Sequence, residues 1–387
     1  MDETLQNAPG ADKRFGLRLY IRQQPVMLAG LAALGVLFFV AVGGLSSAYH
    51  AQREALGERW FRRGVTDINA RKYESAVTEF RSALLYSRDN YDYQLNLAEA
   101  LLGLKRTSEA DSYLVNLWDE EPENGVVNLE LARIAAQRGQ TEQAQRYFHN
   151  AIYAVWPSDQ EDKRRETRLE LIEYLLSINA RAEAQAELIA LQENLGEDPE
   201  QQRRVGELFL QAQDYEHALG AYRSSLKATR HNQAALAGAG SAAFELGQYP
   251  LAERYLQAAA AENPSDAQTA ERLKTTQLVL RMDPFRRGIS AEERDRIVVE
   301  AFGIAGQRLS WCTTAKGAVT TGQPNVADSW AKMKPRIRPQ DLQRNPDLAE
   351  EAMDVVFEIE RQTSATCGPP TGADEALLLI SQSHEGN

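Results

Sequence analysis

QAALAGAGSAAFELGQYPLAERYLQAAAAENPSD, residues 233–266, is the stretch whose reading decides the fold. Within it Leu236, Gly240, Gly247, Tyr249, Ala252, Leu256, Ala259 and Pro264 mark a pattern that returns upstream about every 34 positions. Moving toward the N-terminus, the pattern is carried by Gly206, Tyr215, Ala218, Tyr222 and Ser225, and before them by Leu171, Ala184, Leu188 and Leu191. Farther upstream come Leu131, Ala132, Ala144, Phe148, Ala151 and Pro157, then Leu97, Ala98, Ala110, Leu114, Leu117 and Pro122. The first copy shows Trp60, Gly64, Tyr73, Ala76, Phe80 and Ala83.

The spacing has a physical reading. Gly64, Ala98, Ala132, Gly206 and Gly240 recur at one point of a first helix, and Ala76, Ala110, Ala144, Ala184, Ala218 and Ala252 early in a second. Small residues there let two antiparallel helices approach closely, while Phe80, Leu114, Phe148, Leu188, Tyr222 and Leu256 fill the gap to the next pair. No pair buries its apolar face alone, so neighbours must stack. The register places six copies at residues 57–90, 91–124, 125–158, 165–198, 199–232 and 233–266. One break interrupts them, the charged DQEDKR at 159–164, which is expected to lengthen a turn or the next helix. In the fourth copy Ile172 stands where a small residue is usual, and a local change of superhelical curvature is expected there.

This pattern resembles the tetratricopeptide repeat, a helix-turn-helix unit of the same period. The resemblance implies an all-α superhelix of about six helix pairs plus a closing helix, binding partners on a concave face lined by the first helix of each pair. The family's groove positions then match Phe61 and Val65, Leu95 and Glu99, Leu129 and Arg133, Leu169 and Glu173, Arg203 and Glu207, Ala237 and Ser241. Apolar anchors beside carboxylates fit a basic or amphipathic peptide. Phe61 and Val65 stand where some co-chaperone members carry lysine and asparagine, which speaks against capture of a terminal carboxylate.

Working outward, residues 1–24 form a short polar end, expected to be disordered to about Phe15 and to lie in the cytoplasm. Residues 25–49 carry no charge, and 26–42 are apolar or small throughout. That length suits one bilayer crossing, with Pro25 well placed at a first helical position. Ser46-Ser47-Ala48 offers a signal-peptidase alternative, but the apolar run exceeds the roughly 7–15 residues of a signal core, which favours an uncleaved anchor. Lys13, Arg14, Arg18 and Arg22 precede the run, and Arg53, Arg59, Arg62 and Arg63 follow it. Long downstream domains translocate largely regardless of such charges. The expectation is a single-pass protein of the bacterial inner membrane with its repeats in the periplasm. No proline separates Pro25 from the first repeat, and 51–63 are good helix formers, so the span should run almost directly into it.

The array, residues 50–282, ends in a closing helix over 267–282, stopped by Asp283-Pro284. The remainder, 283–387, abandons the repeat. Ser290 and Glu293 predict a capping box opening a helix to Arg308 or Cys312. A loop over 313–325, a short helix over 326–334, a longer one over 346–363 and a last one over 372–381 follow. Cys312 and Cys367 are each placed at a helix end and are expected to pair as a disulfide if this region is periplasmic.

Composition narrows the function. The chain of 387 residues carries 43 Lys and Arg against 55 Asp and Glu, which argues against nucleic-acid binding. Two cysteines and five scattered histidines give no metal-ligand spacing, and no nucleophile, phosphate-loop or zinc-protease motif is present. The sequence therefore reads as a non-enzymatic scaffold without cofactor. It would hold proteins or peptides during assembly or maturation of an envelope or membrane complex, anchored in the bilayer by 25–49. Two alternatives stand beside it: a ligand-binding or catalytic C-terminal region carried by the repeats, and an assembly factor facing the cytoplasm.

Overall fold

The computed structural model describes residues 13–156, 160–316 and 326–385, and among these the fold is all-helical. It divides into two compact units, Met1–Thr167 and Arg168–Asn387.

The first unit begins with α1, Lys13–Asn69, one uninterrupted helix that continues past Gly43, Gly44 and Gly57 into the first repeat. Its stretch from Met27 onward is long and apolar enough to cross a membrane. From Met27 to His50 its side chains are exposed, Phe39 by 80%, so none of the described residues covers them. Then come α2 (Tyr73–Tyr86), α3 (Tyr91–Gly103), α4 (Thr107–Glu120), α5 (Gly125–Gln137) and α6 (Thr141–Tyr153). Helices of 13 or 14 residues are marginal alone in water. Here they persist because Phe80, Leu97, Leu101, Leu114 and Leu117 are fully buried between them, each worth about 1.5–3 kcal/mol.

The helix α7, Gln160–Ser177, contains the division between the units. Its 18 residues against 13 in α8 show that the charged insertion extends the helix. The second unit continues with α8 (Arg181–Glu193), α9 (Pro199–Gln211), α10 (Tyr215–Ala228), α11 (Gln233–Glu245), α12 (Tyr249–Glu262) and α13 (Ala267–Met282).

Two local devices repeat with the period. Asn90, Asn124, Asp198, Asn232 and Asp266 each accept backbone N–H bonds at the start of the helix that follows, satisfying donors that the helix cannot. Between the helices of each pair sits a residue with positive φ: Arg71, Lys105, Gly139, Asn179, Gln213 and Gly247. At Lys105, for example, the N–H of Lys105 reaches Leu102 O and that of Arg106 reaches Leu101 O, the double bond of a Schellman turn.

The C-terminal helices are α14 (Ala291–Lys316), α15 (Val326–Met333), α16 (Pro339–Arg344), α17 (Asp347–Cys367) and α18 (Ala373–Glu385). Two expectations are corrected here. The first helix continues beyond Cys312 to Lys316 and takes in the start of the expected loop, of which 317–325 lie outside the described residues. The longer helix extends through Cys367 rather than ending at Thr363. The short α16 went unforeseen because its six residues hold no periodic apolar pattern, although Leu342 is buried. Val298, Phe302, Ala305 and Leu309 of α14 join Ala352, Met353, Val356 and Phe357 of α17 and Leu377 and Ile380 of α18 in one core with Val279 and Met282.

Candidate partner-binding surface

Each groove position comes from the first helix of a pair, and the structure treats them unequally. In the first unit Phe61 is not an open anchor: its ring stacks on Tyr93 at 4.9 Å and lies 5.7 Å from Phe80. Val65 and Leu95 are likewise half-buried against that unit's core. Leu129 and Arg133 are half-buried on α5, with Arg133 paired to Glu130 at 2.5 Å.

Glu99 differs from its neighbours. Among the described residues its carboxylate has no hydrogen-bond or ion-pair partner, and burial together with the Glu130 charge pushes its pKa up to about 6. A carboxylate in that state favours a cation arriving from outside, because the arrival removes both penalties at once. Glu130 itself was missed in the sequence; its place one turn before Arg133 is ordinary for a solvated helix pair, so no signal set it apart.

In the second unit Leu169 packs against the core, and the two predicted carboxylates are already engaged. Glu173 on α7 meets Arg204 on α9 at 2.7 Å. Arg203 is shared on its own helix between Glu200 at 2.5 Å and Glu207 at 3.2 Å. Ala237 and Ser241 remain half-exposed on α11. An incoming peptide would have to compete for Glu173 and Glu207, whereas Glu99 is available. Exposed pairs of this kind are worth about 0.2–1 kcal/mol, so the competition is weak but real.

The C-terminal region contributes two further constellations. Cys312 and Cys367 lie with Cα atoms 5.9 Å apart, within the range a disulfide requires. One turn before Cys312, Arg308 meets the fully buried Glu360 at 3.3 Å and donates to Thr363 Oγ1 and Gly368 O at 2.8 Å each. Burial and then the neighbouring Asp374 carboxylate push the Glu360 pKa up to about 8. Two carboxyl groups against one guanidinium hold a proton between them at neutral pH. The arrangement is a clamp that joins α14, α17 and the start of α18. A polar cleft of about 280 Å³ lies elsewhere, between Phe244, Tyr249, Leu379, Gln382 and Ser383.

Residues 47–116 and 203–267 match the family model described as tetratricopeptide repeat. No curated protein matches the sequence. Solved structures with similar helix arrangements include pilF of Pseudomonas aeruginosa, 15% identical with TM-score 0.40, covering 57% of this chain and 97% of that one. A tetratricopeptide repeat protein of Parabacteroides merdae is 13% identical with TM-score 0.31, covering 85% and 99%. The TPR2AB domain of yeast Sti1 in its complex with pHSP90 is 16% identical with TM-score 0.27, covering 79% and 99%. The helix pairs described above are helix-turn-helix repeats like those of tetratricopeptide repeats, and the pairs within residues 47–116 and 203–267 match that family's model.

Proposed function

We propose that this chain is a membrane-anchored tetratricopeptide scaffold that holds basic or amphipathic segments of other proteins while an envelope or membrane complex is assembled or matured. In this reading residues 25–49 cross a bacterial inner membrane once, residues 1–24 stay in the cytoplasm, and the repeats and C-terminal helices lie in the periplasm. The observation that carries it is α1: one helix, Lys13–Asn69, holds an exposed apolar run and the first repeat helix without a linker between them. An apolar helix face of that size has no stable place in water. Pairing of Cys312 with Cys367 in the oxidising periplasm belongs to the same proposal and is supported by their spacing.

Glu99 is the residue expected to select a cation on the partner. Because its carboxylate in the free protein takes up a proton near pH 6, affinity for a basic segment should fall as pH drops through that value. Partner recovery by pull-down at pH 7.5 and pH 5.5 measures this, with Glu99→Gln as the comparison. Loss of pH dependence in Glu99→Gln supports the reading; equal recovery by both proteins at both pH values removes Glu99 from the site. Protease accessibility in spheroplasts tests the topology, since repeats protected until the inner membrane is broken would place them in the cytoplasm. Thiol labelling without reductant tests the cysteine pair, and two freely labelled thiols would refute it.

A further inference from the structure

Arg53 fixes a distance that the repeat fold alone does not. It lies one helical turn beyond Tyr49, the aromatic residue near the end of the uncharged run, and its guanidinium sits 5.9 Å from the Tyr49 ring. The same guanidinium donates to the carbonyls of Leu85 and Tyr86 at 3.2 and 2.9 Å, satisfying acceptors that the C-terminal end of α2 leaves open. A Cβ at Gly57 would lie 3.3 Å from Tyr86 Cβ, so the end of α2 is held against this same stretch of α1. While α1 runs away from the apolar segment, α2 runs back along it and delivers the turn at residues 87–90 to the stretch of α1 around Arg53.

The uncharged run of 25–49 is about 37 Å long at 1.5 Å per residue. A bilayer's hydrocarbon core is about 30 Å thick, and about 40–45 Å with its headgroups. Tyr49 therefore falls in the outer headgroup layer if the run spans the membrane, and Arg53 with the turn after α2 comes about 6 Å farther out at 1.5 Å per residue, at the membrane surface. That turn is equipped for the position. Leu85 is 78% exposed, an apolar side chain that none of the described residues covers. At the same register the later copies carry Asp119, Tyr153, Glu193, Lys227 and Ala261. Beside it the exposed Arg88 has no ion-pair partner among the described residues, while the nearby Arg81 is engaged by Glu109 at 3.1 Å.

We propose that the turn after α2 is a second membrane contact, with Leu85 resting in the lipid interface and Arg88 meeting lipid phosphates, so that the first repeat is held on the bilayer surface. The proposal rests on the membrane-spanning reading of residues 25–49. Its effect is to replace a hinge at the membrane by two fixed points on one rigid unit, which orients the Glu99 surface relative to the bilayer. An anionic lipid surface attracts the Arg88 cation, and partial burial of Leu85 adds to that attraction.

The test uses the full-length oxidised protein in phosphatidylethanolamine–phosphatidylglycerol vesicles containing headgroup-nitroxide lipid. A fluorophore is attached to a single introduced cysteine in Asp89→Cys, Ala70→Cys or Phe39→Cys, with the unsubstituted protein taken through the same labelling as blank. Residue 89 lies in the turn, 70 lies at the far end of α1, and 39 lies in the apolar run. The expected result is quenching at 89 several-fold above that at 70, reduced at least twofold when Leu85→Asp and Arg88→Glu are added. Quenching at 89 no greater than at 70, or unchanged by those two substitutions, overturns the contact while leaving the anchor in place. Shielding of the label at 39 from aqueous iodide marks the anchor itself; iodide access there would overturn the spanning reading and the contact together.

Discussion

In the α11–α12 pair the helices meet over Gly240, where an added Cβ would lie 2.7 Å from Leu256 Cγ and 3.2 Å from the Leu256 backbone nitrogen. In the C-terminal region α14 and α17 meet across Arg308, Glu360 and the Cys312–Cys367 pair. The first junction depends on the absence of a side chain and joins residues 16 positions apart in sequence; the second depends on charge and sulfur and joins residues 55 apart. Local contacts let a small residue and a turn do the positioning. A non-local contact must hold its partners against a larger loss of chain entropy, and the C-terminal helices use a buried ion pair and a cross-link for it.

The largest expected effect breaks the second junction. Arg308→Ala removes the guanidinium from a site where Glu360 is fully buried and Arg308 is 8% exposed, and leaves Thr363 and Gly368 without their donor. Removing one partner of such a pair costs about 3–5 kcal/mol. Hydrogen exchange should show α14, α17 and α18 losing protection while α9 and α10 keep theirs. Equal loss in both places would mean that the two regions unfold as one and that the contrast drawn above is false.

Gly240→Leu attacks the first junction. The new side chain must displace Leu256 and, because a backbone atom is also close, part of α12, at a cost of about 2–3 kcal/mol. Exchange should rise first in α11 and α12. If thermal stability is unchanged, the small residue at this register is incidental and the close approach is not what sets the pair.

Those two junctions also show what could be read from the sequence. Gly240 was legible because Gly206, Ala132, Ala98 and Gly64 repeat its role, so five weak signals share one register. Arg308, Glu360 and Asp374 occur once, and each taken alone is an ordinary surface residue until folding brings them together. The same distinction runs through the candidate surface. Its positions followed from the period, but the burial of Phe61 and the pairing of Glu173 with Arg204 depend on neighbouring helices that the period does not describe. Even the caps at Asn90, Asn124, Asp198, Asn232 and Asp266 became informative only with the helix starts in view.

A pH titration sharpens the comparison without a substitution in the repeats. The folded-state pKa of Glu360, about 8, lies above its ordinary value of 4.5, so the folded state binds a proton that the unfolded chain has released. The stability associated with that proton is fully present below the ordinary value and is lost as pH rises through 8. Between pH 7 and 9 the loss is on the order of 1 kcal/mol. It should appear as faster exchange in α17 and α18 and disappear in Glu360→Gln. An unaltered pH dependence in that variant would place the titrating group elsewhere.

The smallest effect concerns the turns that give the repeats their regularity. Lys105 has φ of 61°, a left-handed conformation that crowds its Cβ against the backbone, whereas Gly139 and Gly247 occupy the equivalent turns at no such cost. The Lys105 side chain is exposed and makes no hydrogen bond or ion pair among the described residues, so Lys105→Gly removes little beyond the strain. Relief of roughly 1–2 kcal/mol of left-handed strain is partly offset by the greater freedom of glycine in the unfolded chain, roughly 0.5–1 kcal/mol. The net expectation is a gain of about 0.5–1 kcal/mol, read as slower exchange at the backbone N–H groups of Lys105 and Arg106 and in the adjoining turn. The reverse change, Gly247→Ala, should lose a similar amount. If Lys105→Gly destabilises the pair instead, the unfolded-state entropy outweighs the strain. Gly247 would then be there for the loop's approach to Ser383, 3.5 Å from an added Cβ, rather than for its φ.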